Sequence, residues 1–159
     1  MLTDADHIRN LLGRYCACID GADFDGVGAL FAHGELAAGD EDAPAFVTGA
    51  GPIAEFYGRG SRIHEDGTLA TKHVVANSVF ASPGADGRVV VRSSYVVHQA
   101  AKGFPLQPII AGRYVDTFVQ QAGSSEITDA TLDGGWHFVR RHFAVDLMGD
   151  LSHHWSGPT

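Results

Sequence analysis

Residues 15–31, YCACIDGADFDGVGALF, determine how the chain begins to fold. They predict the end of one helix, a tight corner at Gly21 and the start of a second helix, because glycine commonly follows a helix C-terminus. The corner places Asp20 at the end of the first helix, where the helix dipole carries partial negative charge. A carboxylate at that position needs a hydrogen-bonding partner or a chemical use. Histidines on later strands are the candidates to supply it.

The residues on either side of this corner predict three helices. The first helix begins at Thr3 or Asp4, and its apolar side chains recur at helical spacing; they are Ile8, Leu11, Leu12, Tyr15, Cys16 and Ile19. Asp23 is the expected cap of the second helix. Residues 35–45 are acidic and rich in small side chains, which favours a loop, and residues 46–48 predict a short strand. Gly51-Pro52 then predicts the start of a third helix, with proline at its first position.

The apolar period changes from helical to alternating after residue 69, which predicts four long strands. They span residues 69–81, 88–101, 108–121 and 136–147. Turn sequences of hairpin length join them: SPGADG, KGFP, and AGSS at 122–125, so the sheet is expected to be mostly antiparallel. Long strands normally twist and coil. We therefore predict an α+β fold in one domain, residues 1–159, with three N-terminal helices packed on a strongly curved sheet.

Composition and charge exclude several classes of function. The chain has 159 residues and a formal net charge of −8, which argues against nucleic acid and anionic membrane surfaces as partners. No apolar run approaches the roughly 18 residues of a membrane span. Cys16 and Cys18 lie two apart on one helix and so cannot form a mutual disulfide. Together with the absence of a signal-peptide pattern, this predicts a cytoplasmic protein.

Five short segments of the sequence resemble those of one known family. CIDGADFDGVGALF, TKHVVAN, SYVVHQ, GRYVDTF and GGWHFVRR resemble, in this order, the SnoaL-like branch of the nuclear transport factor two-like superfamily, and within it the scytalone dehydratase group. The resemblance implies a single SnoaL-like domain whose cone-shaped sheet and helices enclose an apolar pocket. It also implies that Asp20 and His98 form a catalytic dyad, and that His73, with tyrosines, holds a water molecule or the substrate carbonyl.

The resemblance also suggests a set of residues that bind substrate. They are Tyr15, Phe56, Tyr57, Tyr114 and Asp116. Two features depart from the dehydratase pattern: Ile19 replaces a tyrosine before the aspartate, and Tyr114 and Asp116 occupy the positions of a serine and an asparagine. The groups that would polarise the substrate have therefore changed, which leaves the substrate open.

Each of these residues also has a purely structural interpretation. His98 shares a strand face with Ser94 and Val96, and could be a hydrogen-bonded or edge-exposed histidine. His73 could lie at the surface, and Asp116 could form an ion pair with an arginine. His153 and His154 are expected to belong to a tail. No spacing typical of a metal site is present, so neither a metal nor a cofactor is expected.

The leading hypothesis is a cofactor-independent lyase or isomerase, in which His98 removes a proton next to the carbonyl of a small apolar, aromatic or polycyclic compound. The alternative is a non-catalytic ligand-binding or structural module, because a fold alone does not determine an activity. A third interpretation, an epoxide hydrolase, would need Asp116, Arg140 and Asp146 to converge. Self-association as a dimer or trimer is expected, and residues 147–155 could cover the mouth of the pocket or a neighbouring subunit.

Overall fold

The computed structural model describes residues 2–121 and 133–156. The helices are α1 (Asp4–Asp20), α2 (Phe24–Leu30) and α3 (Ala50–Gly60). The strands are β1 (Glu35–Ala38), β2 (Val47–Thr48), β3 (Thr71–Phe80), β4 (Val89–Ala101), β5 (Phe104–Gln120) and β6 (Trp136–Met148). The AGSS turn expected after the third long strand lies outside the described residues.

One sheet contains all six described strands, in the order β2-β1-β6-β5-β4-β3. β1 runs parallel to β6, and every other neighbouring pair is antiparallel. The three helices pack against this sheet, which confirms the predicted α+β architecture. Register shifts interrupt the pairing of β3 with β4, of β4 with β5, and of β5 with β6. Such bulges bend and twist a strand, and they explain how the sheet curves around one interior.

The helix caps follow the sequence closely. Thr3 and Asp6 form a capping box at the start of α1, and the Asp23 side chain accepts a hydrogen bond from Gly26 N at the start of α2. The third helix begins earlier than expected, because Gly49 is its N-cap and Pro52 is therefore the third helical residue. Proline is tolerated there since N–H groups of the first turn have no partner within a helix.

One strand was not predicted, and another begins four residues earlier than expected. β1 lies within residues 35–45, which were expected to be a loop; Leu36 and Ala37 are both buried, so this short strand lacks an alternating pattern. β5 begins at Phe104 rather than at residue 108, because Gly103 adopts φ 76° and closes a tight turn to β4. Proline ordinarily argues against a strand. Because of Pro105 and Pro108, the sequence did not indicate that residues 104–107 belong to β5.

The core lies between the apolar stripe of α1 and the concave face of the sheet. Ile8, Leu11, Tyr15 and Ile19 are almost fully buried on α1. They face buried strand residues such as Tyr95, Val97, Tyr114, Phe118 and Phe138. Asp20 ends this helix on the same buried side. None of the helices within the described residues is long and apolar enough to cross a membrane.

Candidate active site

Asp20 and His73 form a close buried pair where the end of α1 meets the start of β3. His73 Nδ1 lies 2.6 Å from Asp20 Oδ1. The backbone N–H of His73 donates to Asp20 Oδ2 at 3.0 Å, and Thr71 Oγ1 donates to Asp20 Oδ1 at 2.7 Å. The side chains of Asp20 and His73 are each only 8% exposed. The carboxylate at the helix end thus has the partners that its unfavourable position requires.

These contacts determine the protonation state of Asp20. Burial by itself favours the neutral carboxyl group, but hydrogen bonds from His73 and Thr71 favour the anion and lower the pKa of Asp20 below its usual value. The carboxylate is therefore ionised at neutral pH. An ionised carboxylate beside Nδ1 holds the proton of a neutral imidazole on that nitrogen. The second ring nitrogen, Nε2, is then the basic one.

His98 does not join Asp20, which corrects the pair expected from the sequence. Along β4, Tyr95, Val97 and Gln99 are the buried residues. His98 alternates with them and points to the other face, where it is only partly buried. Valines occupy both faces of β4, so its apolar pattern did not reveal which face was internal. Asp20 pairs instead with His73 on the neighbouring strand.

A largely apolar cavity of about 270 Å³ opens beside His73. All four tyrosines of the chain line it: Tyr15, Tyr57, Tyr95 and Tyr114. Phe56 and His73 also contribute to its wall. The structure thus brings His73 and four of the five predicted substrate-binding residues to one cavity. Asp116 is the exception, since it is fully buried in the core behind the cavity wall.

The tyrosines form two contacting pairs around the cavity. The hydroxyl oxygens of Tyr15 and Tyr57 are 3.2 Å apart, and the rings of Tyr95 and Tyr114 stack with their centroids 4.1 Å apart. Burial raises the pKa of Tyr95 to about 12, and it raises the pKa values of Tyr57 and Tyr114 well above the usual value. These three phenols stay protonated at neutral pH. They can therefore act as hydrogen-bond donors to a bound oxygen.

Asp116 forms a fully buried ion pair with Arg141, so the structural interpretation of this carboxylate is confirmed. Arg141 Nε and Nη2 each donate to one Asp116 oxygen at 2.8 Å. The guanidinium lies between two rings, 4.1 Å from the centroid of Tyr15 and 3.9 Å from that of Tyr114. Burial opposes the charge on Arg141, but Asp116 outweighs it and raises the pKa of Arg141 well above its usual range. The pair fixes two walls of the cavity from behind.

The arrangement required for the epoxide hydrolase interpretation is not formed. Arg140 pairs with Glu35 on β1. Asp146 pairs with Arg113 at the surface, 2.8 Å away. Asp116, Arg140 and Asp146 therefore do not converge on the cavity. The arginine that accompanies Asp116 is Arg141.

Sequence reasoning missed His154, which it assigned to a tail. The segment after β6 returns over the cavity, where Leu151, His154 and Trp155 form part of the wall. The expectation that residues 147–155 could cover the pocket mouth agrees with this position. Burial, together with the nearby rings of His73 and His64, lowers the pKa of His154 to about 4. The sequence did contain one signal for this position: the apolar residues Leu151 and Trp155 flank His153 and His154, which is unusual for a solvated tail.

Comparisons with known proteins agree with this architecture. A family model described as the SnoaL-like domain matches residues 1–142. A comparison with curated protein sequences found no match. The solved structure of ActVI-ORFA from Streptomyces coelicolor superimposes with a TM-score of 0.64 at 20% identity, covering 88% of this chain and 95% of that one.

Two solved structures from Novosphingobium aromaticivorans are similar as well. A scytalone dehydratase-like protein has a TM-score of 0.61 at 23% identity, covering 90% of this chain and 84% of that one. A protein assigned as the beta subunit of an aromatic-ring-hydroxylating dioxygenase has a TM-score of 0.63 at 19% identity, covering 94% and 95%. At these identities the structures share the fold, and the family model covers most of the sequence. The chain belongs to the SnoaL-like domain family.

Proposed function

We propose that this SnoaL-like protein is a cofactor-independent lyase or isomerase that removes a proton next to the carbonyl group of a small, mostly apolar compound. The observation that carries the proposal is the contact between Asp20 and His73 at the wall of a tyrosine-lined cavity. A buried carboxylate hydrogen-bonded to an imidazole beside an apolar cavity is a typical site of acid–base chemistry. The catalytic histidine in this proposal is His73, where the sequence had suggested His98.

His73 acts as the general base. Its Nδ1 faces the Asp20 carboxylate, so Nε2 carries the lone pair, and the ring lines the cavity in which a substrate would lie. When Nε2 takes a proton, the imidazolium lies 2.6 Å from an anion that stabilises it. A positioned base of this kind contributes about 10²–10⁴-fold to a rate. Asp20 thus orients the ring and favours its charged form.

The tyrosines act on the carbonyl oxygen of the substrate. Loss of the neighbouring proton places negative charge on that oxygen, and fixed donors aimed at it stabilise the charge. Tyr15 and Tyr57 are the best placed, because their hydroxyl groups already contact each other at 3.2 Å and both line the cavity. One hydroxyl can donate to the other while the second donates to the substrate.

The fate of the proton decides between the two reactions. If the His73 imidazolium returns the proton to a different carbon, the product is an isomer. If it gives the proton to a departing hydroxyl group, the product is an unsaturated compound and water. Both outcomes use the same pair and the same carbonyl donors, so both belong to the proposal. The similar fold of a scytalone dehydratase-like protein is a reason to include the second outcome.

The test is exchange of the proton next to a carbonyl for deuterium, followed by NMR with a panel of small aryl ketones in D₂O. This readout detects proton removal whatever happens afterwards. We expect the wild-type protein to accelerate exchange, and His73→Asn to remove about 10²–10⁴-fold of that acceleration. His98→Asn is the matched control, since it changes a histidine on the outer face of the adjacent strand. Full exchange activity in folded His73→Asn protein would contradict the proposal.

A second candidate is a ligand-binding module without turnover. It is favoured by the apolar character of the cavity wall, which includes Phe143, Val145 and Met148. Such a wall can hold an apolar ligand whether or not a proton is transferred. Saturable binding of a ketone with no exchange above the background rate would support this candidate over the enzyme.

A further inference from the structure

A pair of histidines lies on the sheet away from the cavity, where the chain enters β1 beside the start of β6. The rings of His33 and His137 have their centroids 5.7 Å apart, with an angle of 71° between their planes. His33 is exposed and His137 is partly buried. Neither residue lines the tyrosine-lined cavity. The pair therefore has no part in the proposed proton transfer, and what it binds is a separate question.

The fold holds the two histidines together through the residues that follow them. Gly34 approaches β6 so closely that a Cβ atom on it would lie 2.8 Å from Phe138 O, and glycine is the residue that permits such an approach. The rings of Phe31 and Phe138 stack with their centroids 4.4 Å apart, and both residues are fully buried. Because Gly34 and Phe138 each follow a histidine, this contact places His33 beside His137.

The pairing of β1 with β6 continues from this contact. The parallel register begins with Glu35 opposite Arg140, and their side chains form an ion pair. The Gly34 carbonyl accepts a hydrogen bond from Gly49 N at 2.9 Å, which ties the same turn to the residue before α3. The backbone that carries the two histidines is thus fixed by the fold, and no ligand is needed to bring them together.

The geometry of the two rings is compatible with one shared metal ion. With a metal–nitrogen bond of about 2.0–2.1 Å, two imidazoles on one ion have their centroids roughly 4.5–6 Å apart, and the 5.7 Å between His33 and His137 lies in this range. The lone pair of an imidazole nitrogen lies in the ring plane, so the planes of two coordinating rings must intersect at the ion. The angle of 71° allows this. By contrast, the planes of His64 and His153 are 3° from parallel, so their lone pairs cannot meet at one point.

The protonation state of the pair also favours metal binding. Burial lowers the pKa of His137 below its usual value, and the neighbouring His33 acts in the same direction. Asp133 and the Gly135 backbone oppose this shift without reversing it. His137 is therefore mostly neutral at pH 7, which is the form of imidazole that binds a metal. Among the described residues, no side-chain hydrogen bond or ion pair engages the ring of His33.

The carboxylates nearest the pair are already engaged. Glu35 pairs with Arg140, and Asp133 pairs with Arg14 at 3.0 Å. Within residues 2–121 and 133–156, no group of three His, Cys, Asp or Glu side chains is arranged to hold a metal. The protein therefore supplies two nitrogen ligands, and water completes the coordination. Two imidazoles without a carboxylate favour Ni²⁺, Cu²⁺ and Zn²⁺ over Mg²⁺ and Ca²⁺, which prefer oxygen.

We propose that His33 and His137 form a two-histidine site for a divalent transition-metal ion, which joins the turn before β1 to β6. The sequence did not predict this site, because the two residues are far apart along the chain and form no short motif. An ion bound there links elements that separate when the chain unfolds. It therefore stabilises the folded protein, by an amount that grows with the concentration of the ion.

The experiment titrates Ni²⁺ into protein that carries no affinity tag and measures binding by calorimetry at pH 7. Ni²⁺ is the probe because it binds imidazole nitrogen and does not oxidise the two cysteines. We expect His33→Asn and His137→Asn each to weaken binding about tenfold or more, since the second imidazole binds intramolecularly once the first has bound. The double variant should lose little beyond either single variant, because one imidazole alone holds the ion only weakly.

His64→Asn and His98→Asn are the matched controls, because His64 belongs to the parallel stack with His153 and His98 lies on β4. Both should bind Ni²⁺ as wild type does. Thermal melts give a second readout: Ni²⁺ should raise the Tm of wild type and of both controls, but not that of His33→Asn or His137→Asn. No binding to wild type, unchanged affinity in either of those two variants, or an equal loss in a control would overturn the inference. Ketone exchange should proceed in both variants as in wild type, so the proposed function is judged separately.

Discussion

His73 Nδ1 lies 2.6 Å from Asp20 Oδ1, and this contact joins the last residue of α1 to the third residue of β3, 53 positions later. The contact satisfies a carboxylate that the helix dipole disfavours. It also orients an imidazole that contacts Asp20 and lines the cavity. The packing of the end of α1 against β3 and the chemistry of the site therefore depend on the same hydrogen bond.

Replacing Asp20 with asparagine should reduce proton removal while the fold is retained. The amide oxygen still accepts from Thr71 and from the His73 backbone, but it no longer stabilises the imidazolium. We expect kcat for ketone exchange to fall about 10²-fold or more, with a smaller effect on KM. Steady-state exchange kinetics, together with circular dichroism spectra of both proteins, measure this. An unchanged kcat would show that Asp20 has only a structural role.

Acid should destabilise the protein through Asp20. Its folded-state pKa lies below the usual value of 3.8, so the unfolded chain binds a proton first as the pH falls. The contribution of Asp20 to stability is present above about pH 4 and is lost as the pH falls through the folded-state pKa. Urea unfolding of wild type and Asp20→Asn at pH 6 and pH 3 tests this. The difference in free energy of unfolding between the two proteins should shrink at the lower pH.

His154 should produce a second pH effect in a higher range. Its pKa is about 4 in the folded protein, against 6.5 for an ordinary histidine. The unfolded chain therefore takes up a proton at this residue between pH 6.5 and 4, and the free energy of unfolding falls over that interval. His154→Gln should flatten the profile there. An unchanged profile in His154→Gln would contradict this prediction.

The buried ion pair should be costly to break at one end. Arg141→Met leaves Asp116 fully buried without a charged partner, which is expected to destabilise the fold by about 3–5 kcal/mol. Replacing both residues, as Arg141→Met with Asp116→Leu, should recover much of that loss. Urea unfolding measures both variants. Arg113→Met breaks an exposed pair with Asp146 and should change little; an equal loss there would contradict the importance of burial.

Self-association remains a prediction. Large apolar side chains such as Leu106, Leu147 and Met148 are 65–72% exposed on the isolated chain. Exposed apolar surface of this kind is typical of contact between subunits. Light scattering coupled to size exclusion should report a dimer or trimer. A monomer at all accessible concentrations would contradict the prediction.

The parts of this structure that local rules describe could be predicted from the sequence. The helix corner at Gly21, the capping residues and the four long strands follow from caps, apolar periods and turn residues. The unusual position of Asp20 could be predicted as well, because the sequence places this residue at the end of a helix and next to its buried apolar side. Leu36 and Ala37 did not reveal β1, because a short strand buried on both sides shows no alternation.

The identity of the histidine that pairs with Asp20 depended on information that the sequence does not contain. Val90 and Val96 make the outer face of β4 almost as apolar as its inner face, so alternation placed His98 on a face without indicating whether that face was internal. The contribution of His154 depended on the path of the chain after β6. That path is fixed by contacts with residues distant in the sequence, such as the hydrogen bond from Gln99 to His153 O.

The most direct test of the central claim compares the rate of α-proton exchange in wild type, His73→Asn and His98→Asn, with one aryl ketone that all three proteins bind. The Asp20–His73 contact predicts that His73→Asn loses about 10²–10⁴-fold in rate, while His98→Asn exchanges as fast as wild type. Loss of exchange in His98→Asn with full activity in His73→Asn would contradict the account.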